Sequence, residues 1–258
     1  MTNMNKCLRL FYLIFFTCIS VSSMACPANG YTIGIQRIDY TPHYNFMPSN
    51  NPDFFNLFIE WITLETGCKF QITALPIKRL NIIFEKRRID FIYPDNPIWH
   101  EHKPLKITRY YSPSIATALG TTMVKKEFKN ISLADFNELA IPRGFSPVAW
   151  YPLQKKHLIK FREVSNAEAA LRMVQAGRVD GADIEYNVAQ HIVRTKKLEP
   201  LVVGAKLPYT PTGFHLATAD HPNMLNVIND LINNNQDKLD QMRKSVNLIE
   251  AIPTHRSQ

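Results

Sequence analysis

Cysteine and long apolar runs are both scarce in this 258-residue chain, which has four cysteines. The one sustained apolar run, residues 10–21, is about 12 residues long, short of the roughly 20 that a spanning helix needs. No later segment is apolar enough to span, so the mature chain is expected to be soluble, with a short N-terminal membrane anchor over the first run as the alternative to cleavage. A nucleophile paired with a base and a metal-binding motif are also missing. His100 and His102 flank Glu101, but two histidines at i, i+2 have no third ligand near them in sequence, and no metal is expected. The 30 Lys and Arg are scattered apart from short clusters such as Lys86-Arg87-Arg88 and Lys155-Lys156. They read as solvated helix faces, which argues against nucleic acid as a partner.

What is present begins with residues 1–25. Their only charges are Lys6 and Arg9, the apolar run follows, and small residues close the segment at Ser22-Ser23-Met24-Ala25. A basic start, a short apolar core and small residues at −3 and −1 predict a cleavable signal peptide and a periplasmic protein. Removing 25 residues from 258 leaves 233, enough for one large domain or two lobes of roughly 100 each. Removing Lys6 and Arg9 from 30 basic residues leaves 28 against 22 acidic ones, a net +6. Cys7 and Cys18 leave with the signal. Cys26 and Cys68 then remain in an oxidising compartment, where a pair becomes a disulfide. Lipid attachment at Cys26 is the competing reading, weakened because Ser-Met-Ala carries no leucine-like residue at −3.

Along the mature chain, residues 31–36 are short and β-rich. Asp53 is placed to cap a helix whose Phe54, Leu57, Phe58, Trp61, Ile62 and Leu64 recur at helical spacing, with Gly67 as its stop. An internal repeat follows. A strand from Phe70, a helix over 77–87 and Arg88-Ile89-Asp90 lead into a strand at 91–93. A strand from Phe161, a helix after Ser165 and Arg178-Val179-Asp180 lead into a strand at 181–184. The second copy reads as a capping box, Ser165 with Glu168, with Gly177 ending the helix; in the first copy Arg88 replaces that glycine. Ser132 is expected to cap a helix over 133–139, and residues 224–246 read as one helical segment after a strand at 213–218. Two strand-helix-strand units imply parallel strands with right-handed crossovers. The expected fold is therefore α/β: two lobes, each a mixed sheet flanked by helices, with a ligand cleft between them at the carboxyl ends of strands.

Several motifs in order resemble the type II periplasmic solute-binding proteins that serve polar amino-acid ABC transporters. These are Tyr31-Thr-Ile-Gly-Ile with Asp39-Tyr40-Thr41-Pro42, Leu75-Pro76-Ile77-Lys78-Arg79-Leu80, Ser132-Leu133-Ala134-Asp135-Phe136, and Ala176-Gly177-Arg178-Val179-Asp180. The resemblance implies residues 26–117 with 214–258 as lobe 1 and 118–213 as lobe 2. It also implies crossings near 115–121 and 209–214 and a monomer without cofactor that presents a small-molecule solute to an inner-membrane permease.

It further implies ligand contacts. Tyr40 would stack on the solute, and Glu185 stands where the family places an aspartate for a ligand ammonium. Arg143-Gly144-Phe145-Ser146 lies where the family has a Gly-Ser/Thr turn at a helix N-terminus, so Arg143 and Ser146 would meet an anionic group. Arg79, Asp95 and Trp99 fall at the cleft edge of lobe 1. The family's Thr-x-x-Arg carboxylate clamp is missing from 97–104, with Lys103, Arg109, Arg79 or Arg143 as substitutes. Two other readings accompany solute capture. One is an enzyme resembling the exported cyclohexadienyl dehydratases, with Glu185 as general acid. The other is a sensory module docked on a receptor.

Overall fold

The computed structural model describes residues 26–46, 52–101, 105–157 and 159–252. Residues 1–25, where a signal peptide is expected, and His102 and Lys103 lie outside them. The chain opens with β1 (Tyr31–Gln36) and a short ribbon, β2 (Asp39–Tyr40) with β3 (Tyr44–Asn45), before α1 (Phe54–Thr66). Asp53 Oδ1 accepts from the Asn56 N–H at 2.9 Å, and Gly67 ends the helix at φ 67°, a left-handed position that glycine tolerates. Phe54, Phe58, Trp61 and Ile62 are buried as their spacing requires, whereas Leu64, expected in the same stripe, is 82% exposed.

The first copy of the repeat is β4 (Phe70–Leu75), α2 (Ile77–Glu85) and β5 (Phe91–Asp95), with β4 and β5 lying parallel on either side of β1. β6 (Tyr110–Tyr111) and the long β7 (Ala116–Lys125) come next. β8 (Glu138–Pro142) and α3 (Tyr151–His157) lead into the second copy: β9 (Lys160–Val164), α4 (Ala167–Gln175) and β10 (Gly181–Glu185). β9 and β10 flank β8 in parallel, as β4 and β5 flank β1. α5 (Tyr186–Thr195), β11 (Leu201–Val203), β12 (Tyr209–Thr218), α6 (Pro222–Asn234) and α7 (Gln236–Ser245) complete the chain.

Four local expectations shift. The cap of α4 is Asn166, whose Oδ1 accepts from the Ala169 N–H at 2.8 Å, one residue beyond Ser165. The left-handed residue matching Gly177 in the first copy is Arg87 (φ 55°), not Arg88; a side chain there costs about 1 kcal/mol relative to glycine. Ser132 donates to Asp135 within a turn, because β8 begins at Glu138 and draws Phe136 and Leu139 into the core before a helix can form. The C-terminal helical segment breaks at Asn235, which sits between α6 and α7 at φ −133°.

The strands join in the order β4-β1-β5-β12-β7-β10-β8-β9, with β6 beside β12 and β11 beside β7. β12 links the two sets of parallel strands. Its residues from Tyr209 to Phe214 pair with β7, and from His215 to Thr218 they pair with β5 and β6. One apolar cluster runs through both sets, from Ile33, Phe58 and Phe91 past Phe214 and Met123 to Val188 and Ile192. Each such side chain contributes about 1.5–3 kcal/mol by leaving water. The C-terminal segment pins the crossing. Buried Arg243 of α7 donates to the Ile115 carbonyl at 2.8 Å, Glu250 accepts from the Thr117 N–H at 2.7 Å, and Asn187 of α5 exchanges two hydrogen bonds with Ile249. Cys26 and Cys68 form a disulfide, with 5.4 Å between their Cα atoms. Among the described residues, no helix is long and apolar enough to cross a membrane.

Candidate functional site

A cavity of about 690 Å³ opens between the two sets of strands. Tyr40, Tyr44, Asp95 and Trp99 line it from the β1 side, Phe145, Ser146, Asp183 and Glu185 from the β8 side, and Phe214 of β12 from between them. Aromatic rings meet across it. The Tyr40 and Phe145 centroids are 5.7 Å apart, and Trp99 stands edge-on to Phe214 at 5.7 Å. The backbones also approach closely: Gly144 (φ 93°) lies against Ile77 of α2, where a Cβ would come within 3.3 Å of the Ile77 Cβ.

Of the seven ligand residues expected from sequence, Tyr40, Asp95, Trp99, Ser146 and Glu185 line this cavity. Arg79 and Arg143 do not. Both are exposed, and Arg143 stands 3.7 Å from Glu163 in a solvent-facing pair. Ser146 does not begin a helix, since α3 starts at Tyr151. The amides of Phe145 and Val148 are spent on the Pro142 and Ser146 carbonyls, and the Ser146 hydroxyl donates to the Trp99 carbonyl at 3.5 Å. Those two amides are therefore not free for an anion.

The two carboxylates assigned to the solute have partners within the chain. Glu185 ends β10 and caps α5, its Oε2 accepting from the Val188 N–H at 2.8 Å. Its Oε1 accepts from the Leu119 N–H and the Asn187 amide, and His43 Nε2 stands 3.3 Å from Oε2 at ion-pair distance. His43 and Glu185 are both buried. Burial pushes the Glu185 pKa up, but the opposing charge of His43 and the donated hydrogen bonds outweigh it and hold the group below its ordinary value.

Asp95 is equally engaged. Its Oδ2 accepts from Arg109 Nη1 and its Oδ1 lies 2.6 Å from His100 Nε2, while Arg109 Nη2 donates to Asn81 Oδ1 at 3.1 Å. The guanidinium also sits 4.9 Å from the centre of the Phe84 ring. Arg109 thus reaches the cleft, but its charge is already matched. Among the described residues, no group of three or more His, Cys, Asp or Glu side chains is placed to hold a metal ion.

The residue that sequence reasoning passed over is Asp183. It lines the cavity from β10, where it opposes Thr122 of β7, and no donor among the described residues bonds its carboxylate. Burial without a compensating partner raises its pKa from 3.8 to about 7. The charges of Glu185 and Asp183 add to burial in pushing the Tyr40 phenol well above its ordinary value, which sets the three groups near one another. A signal for Asp183 was available. Side chains two apart on a strand share a face, so the period that aims Glu185 inward aims Asp183 inward too.

Two sets of mainly parallel strands, joined by crossing strands with a cleft between them, make a two-lobed α/β fold. No family model and no curated protein sequence matches the chain. Solved structures do. It is similar to an ancestral amino acid-binding protein described as a precursor of cyclohexadienyl dehydratase, at 19% identity and TM-score 0.65, over 84% of this chain and 96% of that one. It is similar to an arginine transport-system periplasmic binding protein from Legionella pneumophila, at 13% identity and TM-score 0.66, over 84% and 99%. The periplasmic VFT2 domain of Bordetella pertussis BvgS aligns at 16% identity and TM-score 0.66, over 84% and 92%. The fold is that of the type II periplasmic binding proteins.

Proposed function

We propose that this chain is exported to the periplasm, where it works as a monomer that captures a small polar solute between two lobes and presents it to an inner-membrane permease. The lobes of this reading are residues 26–117 with 214–258 and residues 118–213, and the β7–β12 crossing is the hinge. The observation that carries it is the cleft: about 690 Å³, walled from both sides and holding a carboxylate that no donor among the described residues satisfies. Domain interfaces with convergent polar groups and apolar walls are favoured places for small molecules. Solved structures of the same fold that bind amino acids support the reading. The disulfide supports export, since such bonds persist in oxidising compartments, and it occupies the Cys26 sulfur that a lipid anchor would need.

Titration calorimetry of the chain against amino acids, amines, small peptides and organic acids tests the proposal. Saturable binding of one class, with the ligand recovered unchanged, is expected. Silence across the panel would refute it. A second reading draws on Asp183, because a carboxyl with a pKa about 7 suits a general acid at neutral pH. Recovery of a chemically altered ligand, and loss of that turnover in Asp183→Asn, would favour this enzymatic reading over capture.

A further inference from the structure

The solute's charge can be read from what the cleft leaves unbalanced. Both oxygens of Asp95 are taken by Arg109 and His100, and both oxygens of Glu185 by His43 and the donors of α5 and β7. Those two clusters hold their own counter-charges. Glu163, Lys78 and Lys106 line the cavity from exposed positions, where water screens them. Glu85 adds a half-buried carboxylate from the end of α2, which reinforces the negative balance. Asp183 is different: it is half-buried on the cleft face of β10, ionisable and bonded to no donor among the described residues.

We infer that the solute is an organic cation lacking a carboxylate, with Asp183 as its counter-ion and the rings of Tyr40, Trp99, Phe145 and Phe214 as its walls. A desolvated carboxylate is costly unless paired, and a bound ammonium or guanidinium supplies the pair. Aromatic walls favour the same charge through their ring quadrupoles. A ligand carboxylate meets the opposite situation, because Arg109 is already paired with Asp95 and the other cations of the lining, Lys78 and Lys106, stand exposed to water. The inference deepens the capture reading and rests on it.

Calorimetry of the full chain at pH 8 with two matched sets tests it: 2-phenylethylamine, phenylalanine and 3-phenylpropionate, and agmatine beside arginine. The amine of at least one set is expected to bind tenfold or more tightly than its carboxylated partner, with no binding of 3-phenylpropionate. Asp183→Asn, which keeps the side chain's size, should weaken that amine tenfold or more while circular dichroism stays unchanged. Amino acids or 3-phenylpropionate binding as well as the amines, or amine binding unaffected by Asp183→Asn, would overturn the cation assignment and leave solute capture standing. Silence of all five probes would also overturn it, and the wider panel above would then decide capture separately.

Discussion

Asp183→Asn should make the unliganded protein more stable, and more so as pH rises. In the folded chain the carboxyl has a pKa about 7, against 3.8 for the free group. The folded state therefore holds the proton more tightly than the unfolded state. Stability contributed by this group is intact below pH 3.8 and is lost as pH rises towards 7, at about 1.4 kcal/mol per pH unit. Carried over the whole interval this is about 4 kcal/mol; water in the cleft screens the charge, so the expected gain for the variant at pH 8 is about 2 kcal/mol. For a chain of this size that is a rise in Tm of roughly 4–8 °C. The assay is thermal unfolding of both proteins at pH 5 and pH 8, with the gain clearly larger at pH 8. A gain equal at both pH values, or a loss at pH 8, would refute the claim that Asp183 loses hydration in the cleft without gaining a partner. Adding a ligand amine should raise the wild-type Tm by more than the variant's, because the cation removes a penalty that the substitution has already removed.

Glu185→Gln acts oppositely. It leaves His43 buried without its counter-charge, and a loss of about 3 kcal/mol is expected in urea unfolding. Because the folded-state pKa of Glu185 lies below its ordinary 4.5, its contribution is present above about pH 4.5 and fades as pH falls through the lower folded value. The variant should lack that part of the acid sensitivity. Asp95→Asn should unbalance Arg109, costing stability but raising affinity for phenylalanine about tenfold and making 3-phenylpropionate binding detectable by calorimetry. Replacing Cys26 and Cys68 together by serine should cost about 4 kcal/mol through loop entropy across their separation of 42 residues, read as a fall in the urea midpoint with a steeper slope, since the uncrosslinked unfolded chain exposes more surface.

The duplicated β4-α2-β5 and β9-α4-β10 units were legible because their signals are local: a cap, an apolar stripe and a stop such as Gly177 all act within a turn or two of helix. The same locality explains the errors. Ser132 carries a helix-start signal, yet the pull of Phe136 and Leu139 into the core sets a strand, and propensity yields to burial. Site chemistry is less legible because it depends on pairing between distant residues. Nothing in the residues around Glu185 announces that His43 will meet it, or that Arg109 will close on Asp95.

That distinction bears on specificity. A resemblance transfers positions, and Glu185 does occupy the cleft where the resemblance places it. It cannot transfer availability, which is set by which groups the chain itself satisfies. Glu185 and Asp95 are charged residues in the expected places whose hydrogen-bonding capacity is spent internally, so they shape the cleft without selecting its occupant. Selection falls to the group whose desolvation is left uncompensated, because only there does a ligand gain more than water offers. In this cleft that group is Asp183, and a solute able to discharge its penalty must bring a positive charge.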